Sequence, residues 1–138
     1  MIIRKLKSTD YKLKFMELLA QLTISIEGTE KQYLEQYNNL RSDDLHLVIE
    51  EDNKIIAYGA IIIDFKFHRN FRNVGHIEDI VIHKDYRGKG YSKLIINELL
   101  KYGESMNCYK IVLNCEDKLK SFYTNFGFIV KGNFLTKS

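Results

Sequence analysis

The chain has 138 residues, about the length of one domain, and its 45% hydrophobic and 28% charged residues are typical of a globular protein with one core. Its net charge of +3, from 21 basic and 18 acidic residues, is too small to indicate a nucleic-acid-binding face. The apolar run at residues 55–63 is too short to cross a membrane. No apolar leader segment follows Met1, so we expect a cytoplasmic protein with neither nucleic acid nor membrane as a partner.

The two cysteines, Cys108 and Cys115, form no Cys-x-x-Cys pair and have no histidine near them in the sequence. A disulfide or a zinc site is therefore a weaker interpretation than two reduced, semi-buried packing residues. We expect no metal.

The first elements are a strand and a helix. Ile2–Leu6 alternate between apolar and basic side chains, which predicts a short strand. Apolar residues from Tyr11 to Leu22 then recur every three or four positions, as on one face of a helix. Ser8 or Thr9 is the expected N-terminal cap of this helix.

A second helix and a hairpin follow Gly28. Thr29 and Gln32 form a capping box, which predicts that a helix begins there. The β-branched runs 45–51 and 54–64 are joined at residues 52–53, a pattern that predicts an antiparallel hairpin.

The second half of the chain predicts a loop followed by five further elements. Its elements are a basic aromatic loop at 65–73, a strand at 75–83, a long helix from Tyr91, a strand at 110–115, a helix at 118–126 and a last strand at 128–131. The order β-α-α-β-β-β-α-β-α-β has no repeat or linker. It predicts an α/β fold, a single domain over residues 1–138 with helices on both faces of a mixed sheet.

The most informative segment is the loop 87–92, between a predicted strand and the long helix. Gly88 and Gly90 would let the backbone approach an anion, and the free N–H groups of the first helical turn would point at it. Arg87, Lys89 and Lys93 add positive charge, so the segment predicts a pyrophosphate site. Neither the Walker pattern nor the dinucleotide-binding Gly-x-Gly-x-x-Gly pattern is present. An ordinary strand-to-helix turn that needs positive φ is the alternative.

This loop, Arg-x-x-Gly-x-small, resembles the coenzyme A loop of the GNAT acetyltransferases, although Ser92 stands where that family usually has Gly or Ala. The resemblance spans nearly the whole chain. Four further segments are similar to the glucosamine-6-phosphate N-acetyltransferases of that family: residues 17–23, 75–81, 108–111 and 121–128.

The resemblance implies a GNAT fold with a mostly antiparallel sheet. It also implies transfer of acetyl from acetyl-CoA to the amine of glucosamine 6-phosphate in a ternary complex, a step towards UDP-GlcNAc. It implies a homodimer that shares substrate contacts across subunits. The reaction needs a place for an oxyanion, a route for the ammonium proton and an acid for the leaving sulfur.

The resemblance also assigns roles to residues. A strand bulge would offer a backbone N–H near Ile80 to the acetyl oxygen, and Tyr123 would protonate the leaving thiolate. For Tyr123 the alternative is a core aromatic beside Phe122 and Phe126. The expected cofactor-binding residues are Ile80, Val81, Ile82, Arg87, Gly88, Lys89, Gly90, Tyr91, Ser92, Lys93, Asn114 and Tyr123.

Three further polar residues are assigned to catalysis. Glu78 and Asp79, adjacent in an apolar strand, would orient the sugar and the amine or help to move its proton. Asn114 stands where relatives carry Asp or Glu, and an amide cannot accept a proton at neutral pH. We expect Asn114 to hydrogen-bond the amine or a sugar hydroxyl.

The sugar phosphate needs cations, and the basic loop with Lys66, His68, Arg69 and Arg72 is the main candidate, although a solvated loop is equally consistent with the sequence. The expected substrate-binding residues are Thr23, Lys66, Arg69, Glu78, Asp79, Asn114, Cys115 and Lys137. Three other functions stay open. These are a GNAT enzyme for another amine, a non-catalytic acetyl-CoA sensor, and an unrelated nucleotide-binding module that would explain the glycine loop alone.

Overall fold

Five strands form one mixed sheet in this computed structural model, which describes residues 1–22 and 28–138. Their bounds are β1 Ile2–Lys5, β2 Leu45–Glu51, β3 Lys54–Asp64, β4 Asn73–Ile82 and β5 Cys108–Val112. The strands lie side by side in chain order, antiparallel except for the parallel pair β4 and β5. The predicted mixed, mostly antiparallel sheet is confirmed.

Helices cover both faces of the sheet, as predicted. They are α1 Phe15–Leu19, α2 Glu30–Asn39, the single turn α3 His68–Phe71, α4 Tyr91–Ser105 and α5 Lys120–Thr124. On one face, Phe15 of α1 and Tyr33 of α2 pack with the buried Tyr58 of β3. On the other face, Ile95 and Leu99 of α4 are fully buried in the larger core.

The predicted first helix is broken, and the Ser8 or Thr9 cap was wrong. Residues Ser8–Leu13 form a 3₁₀ helix, and α1 starts only after Lys14, whose φ is 64°. The cap comes from Asp10, which is fully buried and accepts from the Lys7 amide at 2.7 Å. Its carboxylate also accepts two bonds from Arg4 of β1, at 2.8 and 2.9 Å. This ion pair with β1 fixes the first turn.

The two local signals in the next segment are both confirmed. Thr29 caps α2, with Gln32 N–H donating to its hydroxyl at 3.1 Å and the Gln32 side chain accepting from Thr29 N–H at 2.8 Å. The β2–β3 hairpin turns at Asp52 and Asn53, whose φ values of 54° and 59° are those of a tight two-residue turn.

The end of the chain differs from the prediction. The predicted strand at 110–115 is observed at Cys108–Val112, and the predicted last strand at 128–131 is absent from the described residues 125–138. Ile129 and Val130 are instead 72% and 68% exposed. A strand needs a neighbouring strand to hydrogen-bond, and β-branched residues alone do not supply one.

In the described part of the chain, no helix has the length and apolar character needed to cross a membrane. The same residues contain no group of three His, Cys, Asp or Glu side chains placed to hold a metal ion. Both cysteines are free thiols, but Cys115 is exposed, so its assignment as a semi-buried packing residue was wrong.

Candidate active site

A bulge in β4 lies at the predicted position. Ala60 of β3 pairs with Glu78 and Tyr58 pairs with Val81, so β4 carries one more residue than β3 between these pairs. The extra residue leaves Asp79 with a φ of 57°. Because the bulge interrupts the alternation of the strand, both Glu78 and Asp79 are exposed next to a buried core.

The Ile80 side chain packs against the face of the sheet that α4 covers. A methyl group on Gly59, opposite the bulge, would lie 2.6 Å from Ile80 Cδ1 and 2.7 Å from Ile95 Cγ2. Glycine at position 59 therefore makes room for Ile80 beside α4. The half-buried side chain of Ile80 therefore has a packing role.

The parallel pairing of β4 with β5 stops early, at His76 and Val112. Beyond that pair, residues 78–82 continue β4, whereas residues 113–115 leave the sheet. These two segments therefore border a gap, and the edge of β4 at this gap has no strand partner among the described residues. Asn114 is exposed at this gap, two residues past the last pair, where continued pairing would place it opposite Glu78.

Tyr123 lies on α5, which follows the gap. Its ring is 9% exposed and packs edge-on against Phe122 and Phe128, with centroids 5.1 and 6.1 Å away. Burial, and then the nearby Cys115 thiol, raise the pKa of the phenol. Tyr123 is therefore protonated at neutral pH and can donate. The ring is largely buried, while the hydroxyl makes no hydrogen bond to any residue that the structure describes.

The loop 87–90 has the backbone that an anion site needs. Gly88 and Gly90 have φ values of 78° and 83°, and an added Cβ at either would meet nothing within 4 Å. The first bond of α4 runs from Leu94 N–H to Gly90 C=O at 3.2 Å. The amides of residues 91–93 therefore have no partner inside the helix and face the open side of its N-terminus.

A groove of about 440 Å³ continues from this loop between α4 and α5. It is lined by Lys93, Asn97, Leu100, Phe122, Asn125 and Phe126. Lys93 joins the groove to the loop, and the opposite wall is the helix that carries Tyr123. The groove therefore connects the predicted anion site with α5, although Tyr123 itself does not line it.

The predicted phosphate-binding cations are not gathered at one point. Lys66 Nζ lies 3.0 Å from Asp64, and that hydrogen bond lowers the pKa of the carboxyl group. Arg69 lies over the Tyr109 ring at 5.1 Å, and Arg72 donates to the Cys108 carbonyl at 3.4 Å. Lys137 is exposed in the C-terminal segment, and Thr23 lies outside the described residues.

No sequence pattern indicates a histidine near the bulge. His46 Nδ1 lies 2.7 Å from the Tyr58 hydroxyl, and the two rings are stacked at 14°. His46 lies opposite Ala60, and Ala60 lies opposite Glu78. The side chains of His46 and Tyr58 are therefore on the same face of the sheet as Glu78. Burial lowers the pKa of His46, so the imidazole is neutral at pH 7.

Comparisons with known proteins show which family this chain resembles. Residues 12–128 match the model of the acetyltransferase (GNAT) family. A glucosamine 6-phosphate N-acetyltransferase of Arabidopsis thaliana is 38% identical over 140 residues, which cover 98% of this chain and 94% of that protein. Glucosamine 6-phosphate N-acetyltransferase 1 of Dictyostelium discoideum is 39% identical over 134 residues, covering 94% and 85%.

Solved structures show the same likeness. The crystal structure of the Arabidopsis glucosamine-6-phosphate N-acetyltransferase superposes with a TM-score of 0.95 at 37% identity, over 99% of this chain and 97% of that one. A Trypanosoma brucei acetyltransferase gives a TM-score of 0.91 at 28% identity, over 99% and 98%. The bulge, the gap between β4 and β5 and the glycine loop all lie within the matched residues, and the chain belongs to the GNAT family of acetyltransferases.

Proposed function

We propose that this enzyme transfers the acetyl group of acetyl-CoA to the amine of glucosamine 6-phosphate. The observation that carries the proposal is that similarity to glucosamine 6-phosphate N-acetyltransferases covers 98% of the chain, with the bulge, the gap and the loop inside it. The products would be N-acetylglucosamine 6-phosphate and coenzyme A.

The residues present fit acetyl-CoA. Open space at Gly88 and Gly90, three free amides at the start of α4 and the exposed Arg87, Lys89 and Lys93 suit a pyrophosphate. The edge of β4 over residues 80–82 is available to hydrogen-bond the rest of the molecule beside the gap. When bound, acetyl-CoA supplies the activated thioester. We assign Ile80 N–H, at the bulge, to the acetyl oxygen.

Glu78, Asp79 and Asn114 border the gap and are the groups we assign to orient the amine. A sugar ammonium must lose a proton before it can attack. Glu78, Asp79 and the neutral His46 on the same side of the sheet are the described groups that can accept it, directly or through water. Tyr123, protonated at neutral pH, is assigned to the leaving sulfur.

We propose that the enzyme works as a homodimer. The C-terminal segment exposes Ile129, Val130, Phe134 and Leu135, and β5 is an edge strand of the described sheet. A second copy of the chain would cover this apolar surface. Lys66, Arg69 and Lys137 would then bind the sugar phosphate near the interface. Light scattering should give twice the chain mass of 16.3 kDa.

The two free thiols fit a cytoplasmic enzyme, which cell fractionation would test.

The substrate assignment is tested by an amine panel. Purified enzyme with acetyl-CoA should acetylate glucosamine 6-phosphate far faster than glucosamine, glucosamine 1-phosphate, lysine peptides or an aminoglycoside, as measured by thiol release. Equal rates with glucosamine would show that the enzyme does not recognise the phosphate group. Preference for a peptide or an aminoglycoside would assign another amine. Acetyl-CoA binding without turnover on any amine would indicate a sensor.

The loop assignment predicts that Gly90→Val weakens acetyl-CoA binding by about tenfold or more, through lost contacts to a charged group. The side chain would enter the open space at the loop, and valine is strained at a φ of 83°. Calorimetry gives the affinity. Gly132→Val is the matched control, because Gly132 has a φ of 68° and equally open surroundings in the C-terminal segment. Unchanged affinity in folded Gly90→Val would place the cofactor elsewhere.

Tyr123→Phe keeps the packed ring and removes only the hydroxyl. The melting temperature should therefore stay close to that of the parent, whereas kcat should fall by about 100-fold or more, as for loss of a general acid. The measurement is steady-state turnover, supported by single-turnover kinetics that isolate the chemical step. A normal single-turnover rate would show that Tyr123 has only a packing role.

Asn114 is predicted to position the amine rather than to accept its proton. Asn114→Asp should then change turnover little, and Asn114→Ala should reduce it through lost orientation. Measurement of kcat against pH for both variants and the parent checks this.

A base at position 114 makes the opposite prediction. Asn114→Asp would then raise turnover at neutral pH by about tenfold, which corresponds to about 1.4 kcal/mol. A new acidic limb in its pH profile would identify the carboxylate. That result would overturn the positioning role and show that the natural residue weakens the catalyst.

A further inference from the structure

Two tyrosines flank the glycine loop, one on each side, and both reach the same distant turn. The Tyr86 hydroxyl donates to the Asp52 carboxylate at 2.5 Å. The Tyr91 hydroxyl donates to the Glu51 carboxylate at 2.7 Å. Glu51 ends β2, and Asp52 is the first residue of the β2–β3 turn. The loop 87–90 is therefore tied at both ends to one hairpin turn.

The hairpin turn is a rigid point of attachment. Asp52 and Asn53 form a tight two-residue connection with φ values of 54° and 59°, and Glu51 and Lys54 pair on either side of it. The loop itself contains Gly88 and Gly90, which have more conformational freedom than any other residue type. Without the two bonds, the loop would lose its attachment to the sheet on this side.

The two hydrogen bonds persist across the physiological pH range. The bond to Asp52 raises the pKa of Tyr86 to about 12, with burial adding to the effect. The bond to Glu51 raises the pKa of Tyr91 in the same way. Both phenols therefore remain protonated donors. Hydrogen bonds to carboxylates are stronger than neutral ones, which suits a fixed attachment.

Two lysine ammonium groups lie over the Tyr86 ring, next to the loop. Lys89 Nζ lies 5.1 Å from the centroid of that ring, and Lys54 Nζ, at the start of β3, lies 5.3 Å from it. Both distances are within the range of cation–π attraction. The carboxylates of Glu51 and Asp52 would repel a pyrophosphate, and the two ammonium groups offset that charge.

We propose that Tyr86 and Tyr91 are positioning residues for acetyl-CoA, which hold the loop in its anion-binding conformation before the ligand arrives. A preorganised loop avoids part of the ordering cost of binding. The inference rests on the proposed function only in that the loop binds the pyrophosphate of acetyl-CoA, and it does not depend on the identity of the amine.

The test compares Tyr86→Phe and Tyr91→Phe with the parent. Calorimetry should show acetyl-CoA bound about three- to tenfold more weakly by each variant, the range for one lost hydrogen bond. Turnover with S-acetylpantetheine, which lacks the pyrophosphate, should keep its kcat/KM within about twofold, because the loop has nothing to bind. Tyr102→Phe is the matched control. Its hydroxyl donates to the Asp43 carbonyl at 2.7 Å from the same helix, and its acetyl-CoA affinity should equal that of the parent.

The acceptor side gives an independent test. Glu51→Gln keeps an oxygen acceptor and should retain most of the affinity, whereas Glu51→Ala should lose affinity, though less than Tyr91→Phe because it also removes a carboxylate that repels the pyrophosphate. The double variant Tyr91→Phe/Glu51→Ala should bind no more weakly than either single variant, because the two changes remove one interaction.

Parental affinity in both phenylalanine variants would overturn the proposal, and so would an equal loss of kcat/KM with S-acetylpantetheine. The same loss in Tyr102→Phe would also overturn it, since the effect would then be general. Calorimetry involves no sugar. A parent that binds acetyl-CoA but does not acetylate glucosamine 6-phosphate would contradict the proposed function, while the variant affinities would still decide the role of the tyrosines.

Discussion

The early end of the β4–β5 ladder, at His76 and Val112, determines where the site of this protein can be. Two parallel strands joined through α4 place their carboxyl ends at the same edge of the sheet. The glycine loop follows β4 and Asn114 follows β5, so both come to that edge. Because β5 ends at this pair while β4 continues to Ile82, the β4 backbone beyond it can bind a ligand in place of a neighbouring strand.

The bulge in β4 is the second constraint, and it depends on packing on both faces. Asp79 holds a left-handed backbone conformation that a non-glycine residue adopts at some cost. On one face Ile80 fits into the space left by Gly59 against α4, and on the other Val81 is buried beside Tyr58. These contacts hold the bulge while Glu78 and Asp79 reach solvent. A stable core thus supports two acidic side chains at the edge of the gap.

Local signals in the sequence predicted the parts of the fold that form locally. The Thr29 capping box, the Asp52–Asn53 turn and the glycines before α4 all depend on residues within a few positions of one another. The prediction of one continuous first helix was wrong because Arg4 of β1 binds Asp10, a contact between elements. The prediction of a last strand was wrong because residues 128–131 pair with no strand of the described sheet. Sequence similarity named the site residues, but it could not show that Lys66 and Arg69 are engaged by Asp64 and Tyr109.

The contacts around the site that could not be predicted depend on strand register or on segments far apart in the chain. An uninterrupted hairpin from its two-residue turn would put His46 opposite Gly59, whereas the irregularity at Ile49–Glu50 moves it opposite Ala60. That shift of one residue turns His46 towards Tyr58 and the side of Glu78. The bonds from Tyr86 and Tyr91 to the hairpin likewise join segments about 34 and 40 residues apart, for which no short-range pattern exists.

Amide hydrogen exchange along β4, with and without acetyl-CoA, tests most directly whether the unpaired edge binds the cofactor. The account predicts that acetyl-CoA slows exchange at residues 78–82, which border the gap, and leaves residues 74–76, already paired on both sides, unchanged. Slower exchange at other surfaces, with residues 78–82 unaffected, would contradict it.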